Sequence, residues 1–259
     1  MSVNRQYSSL FRFQRDELMA VVVVAVVLAF GLTFRMWGDV DGNFDATIGL
    51  TNLLLAFLGL VIVVLAHEAG HKIAGVYQGY EVKIRLFTPG IVGSGFVTLY
   101  AQGYLPFVTP NLVSLDARPD LRLGKFRKYD NPAEAAMIAM GGLVASILMI
   151  FLFSSLFAFS GVEIFRVITI GAVMHAILGF IPFELLNALV KIRYFQTAQS
   201  YAPGDGLHLL WWSKYAYVFS LSFIVLFGGF AVFAPRPLFI FSLILAVFMT
   251  WAYSKWLTS

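Results

Sequence analysis

Residues Ile48–His71 read IGLTNLLLAFLGLVIVVLAHEAGH, an almost wholly apolar run that closes on His67, Glu68, Ala69, Gly70 and His71. An α-helix rises about 1.5 Å per residue, so about 20 apolar residues cross the hydrocarbon core of a bilayer, which is about 30 Å thick. The segment therefore reads as a membrane span, and that decides the fold class. Positions i and i+4 share a helix face, so the imidazoles of His67 and His71 can reach one metal ion while Glu68, one step round, points at a metal-bound water. Ionisable side chains inside a span cost roughly 2.5–3.5 kcal/mol each on insertion scales, and they survive where they bind something or react. A polar cluster that merely locks helices together would not need the spacing of a metal site.

The rest of the composition agrees. Of 259 residues, 59% are hydrophobic and only 12% charged, and the mean hydropathy is +0.82. A soluble domain carries about 25% charged residues, so most of this surface must face lipid. The absence of cysteine excludes thiol catalysis, disulfides and thiolate metal ligands, leaving His, Asp and Glu to bind a metal. The formal charge of +4 accompanies no nucleic-acid recognition motif, and the basic residues flank hydrophobic spans, so no nucleic-acid partner is expected.

Six segments are long and apolar enough to cross a bilayer: 17–35, 48–77, 133–159, 163–182, 215–234 and 238–257. The apolar stretch from Leu18 is too long for a signal-peptide core and lacks a small-residue cleavage site, so it reads as the first span. Pro235-Arg236-Pro237 cannot continue a helix and divides the last pair. With the N-terminus inside, 15 of the 18 Lys and Arg residues fall on the inner side, leaving Arg35, Arg166 and Arg236 outside. The expectation is an integral protein of the cell membrane with both termini cytoplasmic. The whole chain, 1–259, is read as one all-α polytopic membrane domain, with a core at 48–214, an N-terminal span at 17–35 and a C-terminal helix pair at 215–257. Between the second and third spans, Tyr80 to about Val113 is rich in β-branched, aromatic and glycine residues and carries turn signals at Thr88-Pro89-Gly90 and Gly93-Ser94-Gly95. It reads as short strands, a small membrane-associated β-element whose edge around Gly93, Ser94, Gly95 and Phe96 can pair with an extended substrate peptide.

Two histidines leave a catalytic metal site one ligand short. Glu163 opens a span on the outer side, whereas Glu184 and Asp205 lie on the side of the histidine pair. Asp205, in the turn Pro203-Gly204-Asp205-Gly206, is the preferred third ligand, although the same position suits a helix N-cap. Glu184 is its competitor.

The motif His67-Glu68-Ala69-Gly70-His71 in a second span, the following Gly79-Tyr80-Glu81-Val82, the Gly141-Gly142 helix, and Phe180-Ile181-Pro182-Phe183 followed by Asp205-Gly206 resemble the site-2 protease family of intramembrane zinc metallopeptidases, peptidase family M50, and within it the small, PDZ-less archaeal-type members. The resemblance covers most of 48–214. It implies one Zn2+ per chain on His67, His71 and Asp205, Glu68 as general base, and cleavage of transmembrane protein substrates in or near their spans in the lipid bilayer. Family members carry an N-x-x-P-x-x-P-x-D-G arrangement. Here Gly179 stands where the Asn is expected, and an insertion with Glu184, Lys191 and Arg193 separates Pro182 from Asp205. The G-P-x-x-N pattern of the third span reads Gly141-Gly142-Leu143-Val144-Ala145. These departures support the alternative of a non-catalytic zinc-binding homologue that acts as a chaperone or regulator of client membrane helices; the retained Glu68 opposes it. His175, one turn before Gly179, is a candidate oxyanion donor, and His208, three residues after Asp205, a candidate partner that orients it.

Overall fold

A computed structural model describes residues 12–38, 43–104, 112–117, 131–181, 204–233 and 238–258. Among them the chain forms eight helices and two strands in the order α1 (Arg15–Thr33), α2 (Ala46–Gln78), β1 (Tyr80–Arg85), α3 (Thr88–Tyr100), β2 (Leu112–Ala117), α4 (Pro132–Ser160), α5 (Glu163–Phe180), α6 (Asp205–Trp212), α7 (Lys214–Phe233) and α8 (Phe239–Thr258). Six of these, α1, α2, α4, α5, α7 and α8, are long and apolar enough to cross a membrane, each close to a span expected from sequence. The protein is an all-α polytopic membrane protein with a small two-stranded sheet. The basic loop at 118–130, the insertion at 182–203 and the Pro235-Arg236-Pro237 turn lie outside the described residues.

The long helix α2 is the axis of the fold. Asp45 caps its N-terminus by accepting from the Thr47 and Ile48 N–H groups. Gly79, at φ 78°, ends it in the left-handed conformation that glycine adopts without a Cβ penalty, and the chain turns directly into β1. One face of α2 packs Leu60 and Val64 against Val24 and Leu28 of α1. Another sets Val63 in a core with Ile168 and Ala172 of α5 and Phe223 and Phe227 of α7. Successive spans alternate in direction. On one side of the bundle the Tyr80 hydroxyl donates to Glu134 at the start of α4, and the Tyr217 hydroxyl of α7 donates to the Phe180 carbonyl that ends α5. On the other side Asn52 donates to the Met36 carbonyl. The histidine motif lies in the α2 half nearest the first of these sides.

The region after α2 corrects the strand reading. β1 pairs antiparallel with β2, from Tyr80 opposite Ala117 to Arg85 opposite Leu112, but the segment between them containing Gly93, Ser94, Gly95 and Phe96 is helix α3. Thr88-Pro89 starts this helix instead of making a turn, because proline in the first helical turn gives up an N–H that has no partner there anyway. The buried Ser94 hydroxyl bonds back to the Gly90 carbonyl. In apolar surroundings a helix satisfies its own backbone, whereas a strand needs a neighbour, and this outweighs the β-propensity of Val, Phe and Thr. The helical backbone at 93–96 offers no edge for strand pairing.

Candidate metal centre

The helical spacing of α2 brings the Nε2 atoms of His67 and His71 to 3.1 Å from each other, with their rings in edge-to-face contact. Both rings are buried and oriented from behind by α4. The Nδ1 of His71 is 2.9 Å from the Ile138 carbonyl. A carbonyl only accepts, so Nδ1 carries the hydrogen and Nε2 presents a lone pair inward in the neutral ring. The Nδ1 of His67 is 2.8 Å from the Ser146 hydroxyl. This backing depends on close approach of α4, which the glycines permit: a Cβ on Gly142 would strike the His71 ring, and one on Gly141 would strike the Gly70 carbonyl. Sequence reading treated Gly141-Gly142 only as part of a family pattern and missed Ser146 and the Ile138 carbonyl. Ser146 had a signal, as the lone polar side chain between Gly141 and Phe153; a backbone acceptor has none.

Asp205 arrives from 134 residues beyond His71 in sequence (205 − 71). It is the first residue of α6, whose N-cap is Gly204, so its side chain does not cap the helix. Instead Oδ2 lies 3.4 Å from the Nε2 of His67 and 3.2 Å from the Nε2 of His71. Its place is fixed where α6 meets the end of α5. There a Cβ on residue 206 would overlap the Phe180 carbonyl, so only glycine fits.

The three ligand atoms are a geometric match to a metal. Tetrahedral ligands at about 2.0–2.1 Å from zinc lie about 3.3–3.4 Å from one another, and the three separations here are 3.1, 3.2 and 3.4 Å. Three electron-rich atoms converging in a buried space fit a cation better than they fit each other, and the group is able to hold a metal ion. Glu68 is buried beside them, within electrostatic range of His71. His175 on α5 is fully buried, its ring 4.8 Å from that of His67. His208 turns its ring edge-on to Trp211 at 6.3 Å. Glu184 lies outside the described residues. The sequence model of peptidase family M50 matches residues 55–227, two thirds of the chain, including every residue of this cluster. No match was found among curated proteins or solved structures.

Proposed function

Because the chain belongs to peptidase family M50, we propose that it is a zinc-dependent intramembrane endopeptidase that hydrolyses a peptide bond in or near a transmembrane segment of substrate proteins. The observation that carries this reading is the convergence of the His67, His71 and Asp205 ligand atoms at tetrahedral separations with Glu68 buried alongside. Bound there, zinc would lower the pKa of a water towards 7 and polarise a carbonyl. Glu68 takes the proton from the attacking water as its oxygen adds to the scissile carbonyl carbon. The same carboxyl then passes that proton to the leaving amine nitrogen as the C–N bond breaks. Ser146 and the Ile138 carbonyl hold the imidazoles in the orientation this requires. A substrate helix must unwind locally first, since its scissile carbonyl is otherwise committed to an internal hydrogen bond. The buried setting keeps bulk water from competing for the reacting groups. In this reading the partners are transmembrane proteins, and the protein resides in the cell membrane with both termini cytoplasmic, as the distribution of Lys and Arg supports.

Glu68→Gln tests the mechanism. It should retain zinc and thermal stability while proteolysis of a model transmembrane substrate falls by roughly 10²- to 10⁴-fold. Full activity in this variant would refute it. The rival, a zinc-binding homologue that handles client helices without cutting them, draws on Gly179 in place of Asn. It expects zinc in the native protein and no cleavage of any substrate.

A further inference from the structure

The charge that develops on the scissile carbonyl oxygen during hydrolysis calls for a fixed hydrogen-bond donor, and this chain has Gly179 where the family pattern has an Asn. One turn earlier on the same face of α5 is His175. Its side chain is completely buried, and neither ring nitrogen has a hydrogen-bond partner. Buried imidazoles are ordinarily paired, and an unpaired one in a span is costly to keep. It is not out of reach of the centre: its ring stacks edge-on to His67 at 4.8 Å between centroids. It is nevertheless not one of the three residues whose ligand atoms converge. One turn on, at Gly179, a Cβ would meet only Asp205 Oδ2, at 3.7 Å, so the position where the family pattern has an Asn side chain faces the third ligand and is left unfilled. The imidazole thus borders the ligand cluster without joining it, and both it and the unfilled position 179 lie against members of that cluster.

The geometry points to His175 as a catalytic residue of this chain: its ring N–H donates to the scissile carbonyl oxygen as negative charge builds there, in place of a side-chain amide at position 179. This rests on the hydrolytic reading above and adds the group that stabilises the oxygen. The donor acts as a neutral imidazole and neither gains nor loses a proton. A structural histidine would be missed by the fold when replaced. A donor left unpaired in the resting protein would not.

The experiment uses the full-length protein in detergent with a model transmembrane substrate and a phosphinic peptide, whose tetrahedral P–O⁻ group mimics the charged oxygen. His175→Phe keeps a planar ring, somewhat larger, without a donor. It should keep zinc content and thermal stability, lower kcat roughly 100- to 1,000-fold with little change in KM, and weaken phosphinic-peptide binding by a similar factor. Either His175→Asn or His175→Gln, which put an amide near one ring nitrogen or the other, should remain more active than His175→Phe. Should the Phe ring prevent folding, His175→Leu takes its place with the same outcomes. The proposal is overturned if the donor-free variant keeps kcat and phosphinic-peptide affinity within about threefold of the native protein, or if it loses zinc or stability in proportion to activity. A native protein that holds zinc but cleaves nothing would defeat the hydrolytic reading, and the phosphinic-peptide comparison would still decide the role of His175. A native protein that binds no phosphinic peptide overturns both.

Discussion

Two buried polar clusters sit on adjacent residues of α2, and they are built on opposite principles. His71 faces Asp205 and His67, with ligand atoms crowded together. Lys72, one residue on and about 100° round the helix, faces Glu17 of α1 at 2.9 Å. The second cluster is complete in itself. Lys72 Nζ also donates to the Val82 carbonyl. Glu17 accepts from Lys72 and the Ile84 N–H through Oε1, and from the Gln14 N–H through Oε2. Both side chains are about as buried as the histidines, so burial alone does not distinguish a structural charge from a reactive one. The difference lies in how the polar atoms are satisfied. Opposite charges that saturate one another and the open edge of β1 need nothing further, and they pin α1 to the sheet. Lone pairs that converge on one point are satisfied only by a cation.

Several substitutions would break or sharpen this contrast. The largest effect is expected from replacing both His67 and His71 with Ala, which should take bound zinc from about one per chain to none by elemental analysis while α1 stays docked. Stoichiometric zinc in that double variant would remove the metal site altogether. Asp205→Ala should weaken zinc affinity in a chelator competition by more than about 100-fold, whereas Glu184→Ala should leave it nearly intact. The reverse pattern would hand the third ligand to Glu184.

On the other face of the helix, Lys72→Met strands the Glu17 carboxylate. It should destabilise the protein by about 3–5 kcal/mol in detergent unfolding without changing zinc stoichiometry. Adding Glu17→Leu should recover most of that loss, because the stranded charge goes with its partner. Zinc loss in Lys72→Met that persists in the folded protein would show that the two clusters are not separate. The smallest effect belongs to Ser146→Ala, about 10- to 100-fold in zinc affinity, since only the orientation of the His67 ring is released.

What the amino-acid sequence determined by itself is whatever depends on neighbours along one chain. Hydropathy over about 20 residues fixes a span wherever it occurs, so the six spanning helices were legible from composition, and the i,i+4 rule put His67 and His71 on one face before any tertiary contact was known. Local pattern misled at 88–100, where β-branched and aromatic residues suggested strands but backbone satisfaction in apolar surroundings gave α3. Only the tertiary structure decided which groups meet across the bundle. It brought Asp205, the ligand sequence preferred although a helix cap suited the same position, to the histidines, because Gly206 lets α6 press against the end of α5. It placed Ser146 and the Ile138 carbonyl behind the rings through the close approach at Gly141 and Gly142. It also separated Lys72 from His71, adjacent in sequence, into different environments. Contacts of this kind depend on helix faces and interhelical distances set by the packing of the whole bundle, and no window of sequence contains them.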